Sequence, residues 1–223
     1  AVGAVLLGVH AAWMATRAAP RTGTSRAINY VAPWFLLLVL NLVLKAFWPY
    51  PVYTASTDSM LPTLSREDFV LAEGARATCG ETRPKPGDVV VYRRDALPYL
   101  ARVVAGPGQT VGLHEGLLAI DGKVVARRAL GSVPVAGLAV RATVVEETLP
   151  GGARYRTYDL GPDGPLDEIA PTTVPAGSWY LMGDSRDNSA DSRSFGAVKG
   201  AEVCAVVIKI VTHKDKSRVG QKP

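Results

Sequence analysis

Residues 85–93 read KPGDVVVYR, a Pro-Gly turn signal followed by a run of valines that ends in a tyrosine and an arginine. Valine and tyrosine suit a pleated, half-buried surface, and the Pro-Gly pair marks the turn that precedes it. The pattern repeats in DFVLAEG (68–74), RVVAGPGQTVGL (102–113), LLAIDGKVVARRAL (117–130), LAVRATVVEETL (138–149), GSWYLMG (177–183) and AEVCAVVIKIVTH (201–213). Short runs of this kind, with no helical period of apolar residues between them, predict a mainly β, antiparallel domain rather than a doubly wound sheet. The Asp-Gly of IDGK predicts a tight hairpin that leaves Lys123 beside a turn. Between 113 and 175 the chain is less regular, with PGG, GPDGP and APTT marking loops, and reads as a β-rich insertion between two parts of a core, 51–112 and 176–212. The polar end, 213–223, reads as a flexible tail.

The chain has 223 residues, 48% of them hydrophobic, and the apolar excess is concentrated before residue 50. Residues 1–16 are expected to be the remnant of a first transmembrane helix, trimmed at its start because no methionine precedes it. Its arginines, Arg17, Arg21 and Arg26, follow the apolar run instead of preceding it, which argues against a cleaved export signal. A second span is expected over 28–50, with Trp34, Trp48 and Tyr50 placed like interfacial residues and Lys45 reaching toward the interface. The loop between them, 17–27, is basic and carries no acid, so it is expected on the cytoplasmic side, with the bulk of the chain across the membrane. Ser59 lies eleven residues beyond Trp48, and at about 3.5 Å per extended residue it is tethered near the bilayer surface.

The net charge of +5 comes from scattered basic residues without interleaved aromatics, so no nucleic-acid partner is expected. Cys79 and Cys204 lack metal-ligand spacing, and either a disulfide or two buried thiols fits them. Asp184, Asp187 and Asp191 are interleaved with Arg186 and Arg193, a poor cage for a cation, so neither a metal nor any other cofactor is expected. Serine needs a base within hydrogen-bond reach, yet none of His10, His114 and His213 carries an adjoining motif.

Four stretches taken in order, STDSMLPTL (56–64), GDVVVYR (87–93), YLARVVAGPGQTV (99–111) and GDSRDNSADSRSFGAV (183–198), resemble the characteristic boxes of bacterial type I signal peptidase, the membrane-bound Ser/Lys leader peptidase. The resemblance implies Ser59 as nucleophile, with its backbone N–H in the oxyanion hole and the Thr57 hydroxyl assisting there. It places Met60 and Pro62 in the serine turn, Ser189 as the residue that orients the lysine amine, and Asp191 with Arg193 as a supporting ion pair. It implies signal peptides of exported preproteins as substrates, a monomer in the lipid bilayer of the bacterial inner membrane, and a catalytic domain on the outer face. One position departs from the family. Where the family reads Tyr-x-Lys-Arg-Val, this chain has Tyr99, Leu100, Ala101, Arg102 and Val103, so the general-base lysine is replaced by Ala101. Arg102 cannot substitute for it, because guanidinium is not deprotonated in proteins, and Lys85, Lys123 and Lys199 all sit beside turns. An engineered lysine-to-alanine change, a naturally inactive signal-peptide-binding homologue, and an enzyme with a different base all remain open, and the first two imply a chain that does not cleave. A serine esterase, suggested by GDSR alone, would need Asp-x-x-His, and His213 has Ile210 at that offset.

Overall fold

The computed structural model describes residues 23–47, 50–74, 78–135, 140–162 and 164–223, and for 23–29 and 44–47 only the backbone path. The chain divides into two compact units, Ala1–Trp48 and Pro49–Pro223.

In the first unit, helix α1 (Gly23–Phe47) carries Pro33 within it. Its described side chains, 30–43, are apolar around the whole circumference except for Asn41, and Trp34 and Leu36 are 70% and 68% exposed. The two membrane-spanning helices expected from the sequence are not shown here. Segment 1–16 lies outside the described residues, and among those described no helix is long and apolar enough to cross a membrane.

The second unit is antiparallel β. Its main sheet has seven strands: β1 (Val52–Thr54), β2 (Phe69–Glu73), β3 (Val89–Arg94), β4 (Leu97–Ala105), β12 (Ser178–Met182), β13 (Val198–Lys199) and β14 (Val203–Ile210), ordered β1-β2-β14-β3-β4-β12-β13. The valines of β3 are buried in succession rather than alternately. That follows from its place between β14 and β4, with apolar clusters on both faces. Two residues with positive φ, Asp95 and Ala96, turn β3 into β4, as two-residue hairpins require.

Residues 110–173 supply two smaller sheets. β5 (Thr110–His114), β6 (Leu117–Ile120), β7 (Lys123–Val124) and β11 (Ile169–Thr173) form one, and β8 (Ala126–Pro134), β9 (Arg141–Thr148) and β10 (Arg154–Asp159) form the other. Asp121 and Gly122, both at positive φ, make the tight turn between β6 and β7. Val111, Leu113, Leu118, Ile120, Leu149 and Tyr155 join Val104, Tyr180 and Met182 in one buried cluster, so the smaller sheets share a core with the main one.

Two further features were not settled or were misread from sequence. Cys79 and Cys204 form a disulfide across a separation of 125 residues. The end of the chain, read as a flexible tail, folds back instead: Gly220 N–H donates to Ile210 O at 2.8 Å, and Ile210 N–H donates to Gln221 O at 2.9 Å. Polar composition suggested a solvated end, but these backbone pairings with β14 and an ion pair from Lys222 to Asp88 at 2.7 Å hold it down.

Candidate active site

The serine-bearing loop leaves β1 and returns to β2 through a closed neck. Ala55 N–H donates to Asp68 O at 2.9 Å, and Glu67 N–H donates to Ala55 O at 2.8 Å. Met60 and Leu64 are buried in the cluster that includes Ala55, Val70, Val91 and Ile210, so two apolar side chains four residues apart anchor the loop. The Leu61–Pro62 peptide is cis, and Leu64 N–H donates to Met60 O at 2.9 Å. Ser59 is left half-exposed on the rim.

The Ser59 Oγ lies 2.9 Å from the Thr57 Oγ1. The Ser59 backbone N–H also donates to the Thr57 Oγ1, at 3.5 Å, so this hydroxyl and this N–H are neighbours beside the Ser59 side chain. Both residues line a groove of about 520 Å³ whose walls include Ser56, Met60, Val91, Leu97, Tyr99 and Leu100. β4 pairs with β3 from Leu97 to Arg102, but its pairing with β12 begins only at Arg102. The edge of residues 97–101 away from β3 therefore carries no strand among the described residues.

The fourth sequence box reaches the serine loop through Gly183. Ser185 N–H donates to the Ser59 carbonyl at 2.9 Å. A Cβ built on Gly183 would stand 2.2 Å from Ser189 Oγ and 2.7 Å from the Ser59 carbonyl oxygen, so only glycine allows this approach. Gly183 N–H donates to Asp191 Oδ2 at 2.9 Å, and Arg193 holds the same carboxylate through Nε at 2.9 Å and Nη2 at 2.8 Å. Asp191 also caps the short helix α2 (Ser192–Phe195), accepting from Arg193 N–H. Ser59, Thr57, Ser189, Asp191 and Arg193 thus occupy one neighbourhood.

Ala101 is different. It is buried in the cluster of Val90, Tyr92, Val103, Trp179 and Leu181, and the groove is walled by its neighbours Tyr99 and Leu100 rather than by Ala101. Among the described residues the hydrogen-bond partner of the Ser59 hydroxyl is Thr57, not a lysine or histidine. His114 is paired with Glu168 on the surface, and His213 faces Asp68 at 3.7 Å.

Sequence reasoning missed a set of buried ions behind the loop. Arg102 Nε donates to Asp184 Oδ1 at 2.8 Å and Nη2 to Oδ2 at 2.6 Å. The same guanidinium reaches Gly87 O at 2.7 Å and lies 4.4 Å from the Tyr155 ring centroid. Thr63, in the serine loop, donates to Asp184 as well. Arg186 grips Glu147 of β9 through Nη1 at 2.9 Å and Nη2 at 2.6 Å, and Tyr155 OH donates to that carboxylate at 2.9 Å. Burial works against the Arg102 charge, but Asp184 more than compensates and leaves its pKa raised. Burial likewise pushes the Tyr155 hydroxyl well up, with the Glu147 charge adding to it. The signal was an arginine embedded in a valine-rich strand, since a fully buried guanidinium requires a partner.

A family model described as signal peptidase, peptidase S26, matches residues 27–212. Signal peptidase I of Pseudomonas aeruginosa is 35% identical over 186 residues, covering 74% of this chain and 62% of the relative. Signal peptidase I S of Bacillus subtilis is 30% identical over 159 residues, covering 71% of this chain and 74% of the relative. The crystal structure of a signal peptidase I from Enterococcus faecalis superposes with a TM-score of 0.36 at 24% identity, over 56% of this chain and 97% of that one. The chain spans 62% of the length of the Pseudomonas relatives it matches. On the extent of the family match and the identity to its curated relatives, the chain belongs to the signal peptidase family, peptidase S26.

Proposed function

We propose that this chain has the architecture of a membrane-attached serine endopeptidase that removes signal peptides from exported preproteins, with Ser59 as nucleophile and the proton acceptor missing at Ala101. The observation that carries the reading is the Ser59–Thr57 hydroxyl pair on the rim of a groove bounded by the open edge of β4. An extended peptide can add to that edge by main-chain hydrogen bonds while its alternate side chains enter the groove. Small side chains at the first and third positions before the cut suit this approach to the serine.

In the complete enzyme a lysine at 101 takes the Ser59 proton, and the Ser59 Oγ attacks the scissile carbonyl carbon. Ser59 N–H and the Thr57 hydroxyl hold the oxyanion. The C–N bond then breaks as the lysine returns its proton to the leaving amine, and water releases the acyl group. A lysine at this position would emerge among Val90, Val103 and Leu181. Burial there favours the neutral amine, the form that accepts a proton. In this reading Ser189 orients that amine, Asp191 and Arg193 brace it from behind, and Met60 and Pro62 shape the serine turn. The chain as written lacks the base and does not turn over.

Lipid is the expected cover of the apolar surface of α1, because a helix that is apolar all round needs either protein or membrane against it. The Cys79–Cys204 disulfide supports placing the β unit on the oxidising, outer side of the inner membrane.

The test is cleavage of a signal-peptide-bearing precursor by the chain as written, by Ala101→Lys and by Ala101→Lys with Ser59→Ala. Turnover by Ala101→Lys alone supports the reading. Silence from all three, with precursor still bound, turns it to the second reading, a natural signal-peptide-binding homologue. Turnover by the chain as written would mean that a different base serves Ser59.

A further inference from the structure

The serine loop is held on one side by the 183–185 segment, through the Ser59 carbonyl and Thr63. It is also held from a segment that lies beyond the family match, which ends at residue 212. Arg218 Nη1 donates to the Pro62 carbonyl at 2.6 Å, across 156 residues of sequence. Pro62 is three residues from Ser59, on the turn closed by Leu64 N–H to Met60 O. We infer that Arg218 is a positioning residue for the nucleophile: the end of the chain forms a rigid bracket that fixes the Ser59 turn through the Pro62 carbonyl. This inference rests on the reading of Ser59 as nucleophile.

The bracket is built for stiffness. Asp215 accepts from the N–H and hydroxyl of Ser217 at 3.0 and 2.7 Å, which starts a 3-10 turn over Lys216–Arg218. Val219 N–H closes that turn on Lys216 O, and Gln221 N–H donates to Arg218 O. Gly220 and Gln221 then pair with Ile210 on both sides of its backbone, so the Arg218 backbone is fixed relative to β14. A second contact lies at the neck of the loop. His213 Nδ1 accepts from Asp215 N–H at 2.9 Å, which leaves Nε2 facing Asp68 at 3.7 Å, and the Asp68 carbonyl accepts from Ala55 N–H where the loop closes. The same short segment therefore touches the serine loop at its neck and at its turn. A charged donor on a partly buried carbonyl is one of the stronger hydrogen bonds available to a protein. A nucleophile displaced by about 1 Å can lose about a hundredfold in rate.

Two measurements test this separately from the functional reading. In the chain as written, amide hydrogen exchange is compared for Arg218→Ala, Arg218→Lys and the control Lys214→Ala, an exposed cation of the same segment. Arg218→Ala is expected to speed exchange at Leu61 and Leu64 by about tenfold, with β3 unchanged, and Arg218→Lys to recover most of the protection. Unchanged exchange at Leu61 and Leu64 overturns the bracket, whatever the activity. In the Ala101→Lys protein, Arg218→Ala is expected to lower kcat about tenfold with KM within about twofold, Arg218→Lys to restore it in part, and Lys214→Ala to leave it unchanged. A kcat equal to the parent's in Arg218→Ala overturns the positioning role, as does a loss that Arg218→Lys fails to relieve. An Ala101→Lys protein that never cleaves, with the exchange result intact, counts against the functional reading and not against the bracket.

Discussion

The two faces of the serine loop are built from opposite materials. In front, toward the groove, stand two neutral hydroxyls and an open strand edge, while Ala101 lies buried beside them in sequence, among Val90, Val103 and Leu181. Behind stand three buried ion pairs, Arg102–Asp184, Arg186–Glu147 and Arg193–Asp191, whose side chains are at most 7% exposed. Buried pairs add little net stability over an apolar core, but removing one partner is costly, so they enforce one arrangement. Here they join four separate stretches: the loop through Thr63, β4 through Arg102, the 183–193 segment, and β9 through Glu147. The serine loop is therefore held by many coupled groups, whereas the activating group of the proposed function is a single side chain at position 101. On the proposed function, placement depends on many coupled groups and proton transfer on one, so a substitution at 101 is expected to change the chemistry and leave the fold alone.

That contrast can be broken most sharply at position 101. Ala101→Lys is expected to raise precursor cleavage by up to about 10⁴-fold, the range of a well-placed general base, while secondary structure by circular dichroism stays as it is. A comparable gain from a lysine placed elsewhere on the groove rim would show that the position is not special. At the back, Asp184→Asn leaves the Arg102 guanidinium buried without its counter-ion and is expected to cost about 3–5 kcal/mol in denaturant unfolding. A loss below about 1 kcal/mol would mean that the network is relaxed and not a constraint.

A smaller effect tests the oxyanion side. In the Ala101→Lys protein, Thr57→Val is expected to lower kcat by about a hundredfold with KM little changed, whereas Thr57→Ser keeps most of the rate. Equal rates in all three would remove Thr57 from the site. The smallest effect reads how dry the back is. Burial, with the Asp191 charge adding to it, pushes the hydroxyls of Tyr92 and Tyr180 up to about 12 from an ordinary 10.0. Both folded values are raised, so their contribution to stability is whole below pH 10.0 and is lost as the pH rises through about 12. A spectrophotometric titration should show these two tyrosines ionising near pH 12, and Tyr92→Phe should remove one of them. Ionisation of both near the ordinary value would indicate that water reaches the face behind the loop.

The β class was legible in the chain because alternation and valine runs are local properties, and DVVVYR and VCAVVIKI form the central strands β3 and β14. The candidate residues of the front were legible for the same kind of reason. Ser59, Thr57 and Pro62 fall within six residues of one another, and the alanine stands in a recognisable Tyr-x-x-Arg-Val frame. The back was only partly visible. Asp191 and Arg193 are two residues apart and could be paired by eye, but nothing near Arg102 in sequence announces Asp184, 82 residues on, or links Arg186 to Glu147, 39 residues before it. The tail was misread because composition reports what a segment can dissolve in, not which carbonyl it meets.

By itself, the sequence determined the β architecture, the serine turn and the absence of a lysine at 101, since periodicity, turn chemistry and residue identity act over a few positions. The tertiary structure alone decided which charges share a carboxylate, that Cys79 meets Cys204, that Gly183 must lack a side chain, and that Arg218 reaches Pro62. Those contacts are set by strand register and by the packing of distant segments, and no short window of residues contains both partners.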